Sequence, residues 1–215
     1  AEPLFRSLRL AHRMHRPLEV LVPVGLVVAL VVGLVLLGHD LGTAMVMLAL
    51  VAGMLFVAGV PLRWFAVAGA GAAAVVAALV AISPNRLNRI STWLSGECTD
   101  IYGICWQSTH GTWALASGGW LGLGLGASRE KWDWLPEAHN DYIFSIIGEE
   151  LGLPGSLTVL VLFAVLAYAC VRIVSQSEDS FARLAAAGVM IWFLAQAVLN
   201  VGSVIGMLPI IGVPL

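Results

Sequence analysis

The stretch LEVLVPVGLVVALVVGLVLL at positions 18–37 decides the fold class, because Glu19 is its one charged residue. Each helical residue rises about 1.5 Å, so roughly twenty apolar residues cross a hydrocarbon core of about 30 Å. Four further runs of this kind follow, at 41–60, 64–83, 146–171 and 184–207. They are continuous rather than alternating, which excludes the strands of a membrane barrel. The chain as a whole is 60% hydrophobic and 11% charged, whereas soluble domains carry about 45–50% and about 25%. One core of 215 residues could not hide that much apolar surface. Lipid accepts it once helices satisfy the backbone. The expected fold class is an all-α polytopic membrane protein, with five transmembrane helices in this chain and one large extracytoplasmic loop. Gly69, Gly71 and Ala72 to Ala74 suggest a crowded helix contact in the third run; a lipid-facing stretch is the alternative.

Basic residues orient the chain. Arg6, Arg9, Arg13, Arg16, Arg63, Arg172 and Arg183 fall on one side if the spans alternate, against Arg86, Arg89, Arg129 and Lys131 on the other. The richer side is read as cytoplasmic. This divides the chain into a basic cytoplasmic segment (1–17), three transmembrane helices (18–83), an extracytoplasmic loop (84–141), and two more helices with the start of the next outer segment (142–215). The basic arm reads as a topology anchor with anionic lipid as a further partner. No basic stripe points to nucleic acid. The start at Ala1 and the apolar end at Val213, Pro214 and Leu215 lead us to expect a fragment of a longer protein.

The loop holds Trp93, Trp106, Trp113, Trp120, Trp132 and Trp134. That is too aromatic for a disordered tether, and Trp favours the membrane interface. A folded cap with short amphipathic helices is expected, the best candidate covering 107–117 and ending near Gly118 and Gly119. Cys98 and Cys105 lie in this loop, where an outer location favours a disulfide between them; two free thiols or half a metal site are the alternatives. Cys170 reads as a small apolar residue in a helix.

Ionisable groups at the ends of membrane spans are costly and therefore functional candidates. Asp40, after His39, can cap the next helix or serve a site. Glu137, His139 and Asp141 cluster before the fourth run. If Pro136 opens a helix, Glu137 and Asp141 share a face. The macrodipole would then lower the pKa of Asp141, and a useful base would need an apolar setting or like charges from Glu137, Glu149 and Glu150. Acids also simply favour such a helix start. Glu149 and Glu150, adjacent on a helix, point about 100° apart and are not expected to share one partner. Arg86 and Arg89, three apart, suit a pyrophosphate headgroup or a surface anchor. The glycine run at 118–126 lacks the preceding strand of a dinucleotide fold and reads as a tight loop.

Several motifs carry a family resemblance. HDLGT at 39–43 resembles part of the QPDLGT motif of the FtsW/RodA (SEDS) family, with His in place of Pro. RLNR at 86–89 is similar to its paired arginines, and GGWLGLGLGAS at 118–128 to its GGxxGxGLGxS stretch. LPEAHNDYIF at 135–144 followed by IGEELG at 147–152 resembles LPEAHTDFIF…IGEELG. NVG at 200–202, GMLP at 206–209 and GVPL at 212–215 match the approach to the last conserved segment. EAH favours the FtsW, cell-division branch. The cysteine pair and the Trp-rich loop lie outside the general pattern.

The resemblance implies ten transmembrane helices, of which five to nine are here. It also implies a peptidoglycan glycosyltransferase of the plasma membrane, facing outward, that polymerises lipid II into glycan strands and releases undecaprenyl pyrophosphate with inversion. Asp141 would be the catalytic acid–base group, deprotonating the acceptor 4-hydroxyl. Arg86, Arg89, Glu137, His139, Asp40, Glu149 and Glu150 are candidates for substrate binding. Arg86, Arg89 or a divalent cation (Mg or Mn) could stabilise the leaving diphosphate. A class B penicillin-binding protein and other divisome proteins are the implied partners. A lipid II flippase or a non-catalytic scaffold are the rival readings. A proton relay would need acids deep in several spans, and here they gather at the outer mouth.

Overall fold

The computed structural model describes residues 17–38, 40–95, 105–132, 134–209 and 212–215, with backbone alone at 17–21, 85, 86 and 89. The basic arm before Pro17, His39 and Cys98 lie outside the described residues, as do the side chains of Arg86 and Arg89. Seven α-helices are described: α1 (Pro17–Leu37), α2 (Leu41–Val57), α3 (Leu62–Ile82), α4 (Pro84–Ser95), α5 (Trp106–Gly118), α6 (Ile143–Gln176) and α7 (Ser180–Val204). No strand occurs among the described residues. α3, α6 and α7 are long and apolar enough to cross a membrane, whereas Val22–Leu37 and Leu41–Val57 are shorter apolar helices.

Local chemistry sets the boundaries. α2 opens on Asp40, whose carboxylate accepts the Thr43 N–H at 2.9 Å. α7 opens on Asp179, which accepts from Phe181 and Ala182. Pro84 starts a new helix where Ser83 has turned extended. α7 ends before Gly206, at φ 78°, with the Leu208 N–H returning to the Gly202 carbonyl.

α7 is the hub, packed on α2 and α6 and more lightly on α5. Close approach rests on missing side chains: a Cβ at Gly53 of α2 would collide with Ile191 of α7. α3 meets α2 at its start, where Phe65 stands edge-on to Phe56 at 6.3 Å. The crowded contact expected at Gly69 and Gly71 is not made among the described residues. α3 buries no residue, and nothing lies within 4 Å of a Cβ built at either glycine. Small residues permit close approach but do not supply a partner.

The helix expected at 146–171 is two helices. Gly152 has φ 66° and ψ −158°, which breaks α6 into an arm at 143–151 and a long apolar helix from 153. Pro154 has no N–H to return to the Glu150 carbonyl, and the Leu153 N–H goes to Gly119 instead of Glu149. The glycine-rich loop after α5 satisfies both freed carbonyls: Leu123 donates to Glu149 at 2.9 Å and Gly124 to Glu150 at 3.0 Å. Gly122 and Gly152 touch backbone to backbone, so a Cβ on either would collide with the other segment. The tight loop read in the sequence thus seals a helix break.

Candidate active site

Asp141 lies in the turn between this loop and α6. The helix expected from Pro136 does not form; residues 136–142 are turns and α6 starts at Ile143. The reason is Glu137, which takes a left-handed backbone at φ 56°. Its carbonyl accepts the N–H groups of Asn140 and Tyr142, and its carboxylate accepts from the Asn140 side chain at 3.0 Å. Asp141 therefore sits outside the helix, not on a helical face with Glu137.

Burial of the carboxyl, followed by the like charges of Glu137 and Asp40, holds Asp141 above the usual carboxylate range. The lowering expected from a helix start at Pro136 is thus corrected: that helix does not form, and the pKa is raised. No described residue hydrogen-bonds the Asp141 carboxylate, and among the described residues no group offsets the cost of ionising it. Asp40 caps α2, and its charge is also among those that raise Asp141. The Asp141 backbone is held by Asn200 of α7, which donates to its carbonyl at 2.6 Å and to that of Val213 at 2.8 Å. Gly212 leaves open the space beside Asp141 Oδ2. α4 reaches the same region: the Trp93 indole N–H donates to the Gly206 carbonyl at 2.9 Å.

Glu149 and Glu150 are placed elsewhere and are not among the charges that act on Asp141. Glu149 is 1% exposed. It accepts from Ser128 Oγ at 2.5 Å, the Arg129 N–H at 3.1 Å and Ser117 Oγ at 3.4 Å. Glu150 accepts from the Gly126 and Ser128 N–H groups and pairs with Lys131 Nζ at 2.6 Å. The expectation that neighbouring carboxylates could not share a partner is corrected by Ser128, which gives its hydroxyl to one and its N–H to the other. The loop wraps over the helix and reaches both directions. These acids fasten the loop to α6.

His139 is exposed in the same turn as Asp141. Arg86 and Arg89 stand on the first two turns of α4. Cys105 is disulfide-bonded and Cys170 is free and buried; Cys98 lies outside the described residues. Sequence reasoning missed three features. Asn200 stood in the NVG match but, with Gln196 and Ser203 in the same run, carried no signal of its partners. Ser128 and Lys131 carried none, because their partners are distant in sequence. His110 carried little: it is buried, 2.6 Å from Glu130, and packed among Trp106, Trp113 and Trp134. Among the described residues no three of His, Cys, Asp and Glu converge as a metal site.

A family model described as cell cycle protein, covering FtsW, RodA and SpoVE, matches residues 5–215. A protein of Mycobacterium tuberculosis named probable peptidoglycan glycosyltransferase FtsW is 43% identical over 208 residues, covering 95% of this chain and 39% of that protein. Proteins of the same name from Burkholderia thailandensis (41% identical, 90% of this chain, 43% of theirs) and Trichlorobacter lovleyi (38%, 90% and 50%) are also similar. A solved chain from a peptidoglycan synthase complex, in which polymerization and crosslinking are coordinated, superposes with a TM-score of 0.67 at 26% identity. It covers 89% of this chain and 53% of that one. The chain therefore spans about two fifths to one half of the length of these relatives. On its sequence and its fold, the chain belongs to the FtsW/RodA/SpoVE family.

Proposed function

We propose that the parent protein is a peptidoglycan glycosyltransferase of cell division, polymerising lipid II at the outer face of the plasma membrane. The observation that carries this reading is Asp141: its carboxylate is partly buried, free of described hydrogen bonds and held above the usual range by burial and two neighbouring acids. A carboxylate so placed is a better base near neutral pH than a solvated one. In this reading it takes the proton of the acceptor 4-hydroxyl, whose oxygen then bonds the anomeric carbon of the growing strand. The bond from that carbon to undecaprenyl pyrophosphate breaks with inversion. Arg86 and Arg89, two positions on the exposed helix α4, are proposed to receive the diphosphate, where planar guanidiniums meet phosphate oxygens in pairs. A divalent cation, Mg or Mn, would add charge stabilisation at the same group. Such ions commonly ride on substrate phosphates rather than in a protein cage.

The same reading takes α1, α2, α3, α6 and α7 as five of ten membrane helices, with residues 84–141 outside the cell. A class B penicillin-binding protein is the proposed partner for crosslinking. Against the flippase alternative, Glu149 and Glu150 are held by the loop rather than left free for a proton relay. The test uses the full-length parent with its penicillin-binding partner and labelled lipid II. Polymer from wild type and none from folded Asp141→Asn is expected. Equal polymer from both removes Asp141 from the mechanism; transbilayer movement of lipid II without polymer favours the flippase.

A further inference from the structure

Asn200 stands near the end of α7, in a largely apolar stretch that also holds Gln196 and Ser203, and it is 0% exposed. A buried amide is costly unless it is hydrogen-bonded. Both its hydrogens are used, on the carbonyls of Asp141 and Val213 at 2.6 and 2.8 Å. These acceptors lie 59 residues before it and 13 after it. Its oxygen has no partner among the described residues. An apolar residue would spare that penalty but would leave the Asp141 and Val213 carbonyls without their donor. Beside the tie, Gly212 has φ 71°, and a Cβ on it would stand 3.4 Å from Asp141 Oδ2. One amide thus grips the backbone of Asp141 and the backbone that walls its carboxylate, and leaves the carboxylate itself untouched.

We propose that Asn200 is a positioning residue, which ties residues 212–215 against Asp141 and so keeps that carboxylate withdrawn from water. The inference rests on the reading of Asp141 as the base. Withdrawal raises basicity because water no longer solvates the anion. Among the described residues the charged groups acting on Asp141 are Glu137 of its own turn and Asp40 before α2, and the titratable His139 stands exposed in the same turn. Residues 212–215 bring none, and α7 has only Arg183, at its opposite end; α6 has Glu149 and Glu150 in the loop clamp and Arg172 in its last turns. α4 carries Arg86 and Arg89. Few residues could replace Asn200. Asp accepts only, Ser offers one hydrogen and Gln is a methylene longer.

The experiment uses the full-length parent with its penicillin-binding partner. Asp141 is titrated by carboxyl infrared difference spectroscopy, with Asp141→Asn as the subtraction control, in wild type, Asn200→Ala and Asn200→Ser. The midpoint is expected to move down toward the ordinary carboxylate range in Asn200→Ala and part of the way in Asn200→Ser. In lipid II polymerisation, kcat should fall about tenfold to a hundredfold with KM within about twofold, as loss of orientation predicts. The acid limb of the pH profile should follow the midpoint down. Wild-type midpoints in folded Asn200→Ala overturn the proposal; if that variant does not fold, an unmoved midpoint in Asn200→Ser does so. A moved midpoint together with full activity in Asp141→Asn supports the tie and fails the catalytic reading instead.

Discussion

Two acidic regions stand less than ten residues apart in the chain and live by opposite rules. At 149–150, each carboxylate is surrounded by donors: hydroxyls, backbone N–H groups and one ammonium. At 141, the carboxylate is half withdrawn from water, meets two like charges and receives no described hydrogen bond. The first arrangement stabilises charge and gives a rigid joint between the glycine-rich loop and the broken helix. The second raises the energy of the charge and leaves a group ready to take a proton. What separates these two acidic regions is what satisfies each carboxylate.

The contrast can be broken by substitution. The largest stability effect is expected at Glu149→Ala, which strands the Ser128 hydroxyl and the Arg129 N–H. About 3 kcal/mol should be lost, read as a lower unfolding midpoint in detergent; a change under about 1 kcal/mol would refute the clamp. Lys131→Met removes a partly exposed ion pair with Glu150. It should cost about 0.5 kcal/mol and cost nothing at high salt. Asp141→Asn should behave in the opposite sense. A carboxyl raised in the fold binds its proton more tightly there than in the unfolded chain, so its contribution falls as pH rises from the ordinary range through the raised value. The Asn variant should then unfold no lower than wild type at neutral pH, with the gap closing as pH falls; a lower midpoint would contradict this. The smallest effect is expected at Glu137→Gln. Loss of one like charge should move the acid limb of activity slightly to lower pH, and an upward move would be contrary.

Much of the fold was legible because helix formation in apolar runs is a local matter. The expected cap at Asp40 and the loop helix ending at Gly118 are both present, with α5 at Trp106–Gly118 and Gly119 at φ 51°. The misses come from interactions that no local pattern carries. Pro136 reads as a helix start, but the left-handed Glu137 turns the chain first. Pro154 and Gly152 do signal a break; what the sequence hides is that Leu123 and Gly124 satisfy it. Asp141 was legible as a candidate, yet its raised affinity for a proton comes first from burial, then from Glu137 in its own turn and last from Asp40, far away in the sequence. Asn200 was visible within the NVG match, while its two acceptors were not.

The most direct test sets the two acidic regions against each other in one assay. Full-length parent and its penicillin-binding partner would be given labelled lipid II, and polymer would be counted per folded molecule for Asp141→Asn and Glu150→Gln. The account predicts a drop of about a hundredfold or more for Asp141→Asn, the range for loss of a general base. Glu150→Gln should keep most of its activity once folding is corrected for. Full activity in Asp141→Asn with loss in folded Glu150→Gln would contradict it, and would move the chemistry from the turn to the clamp.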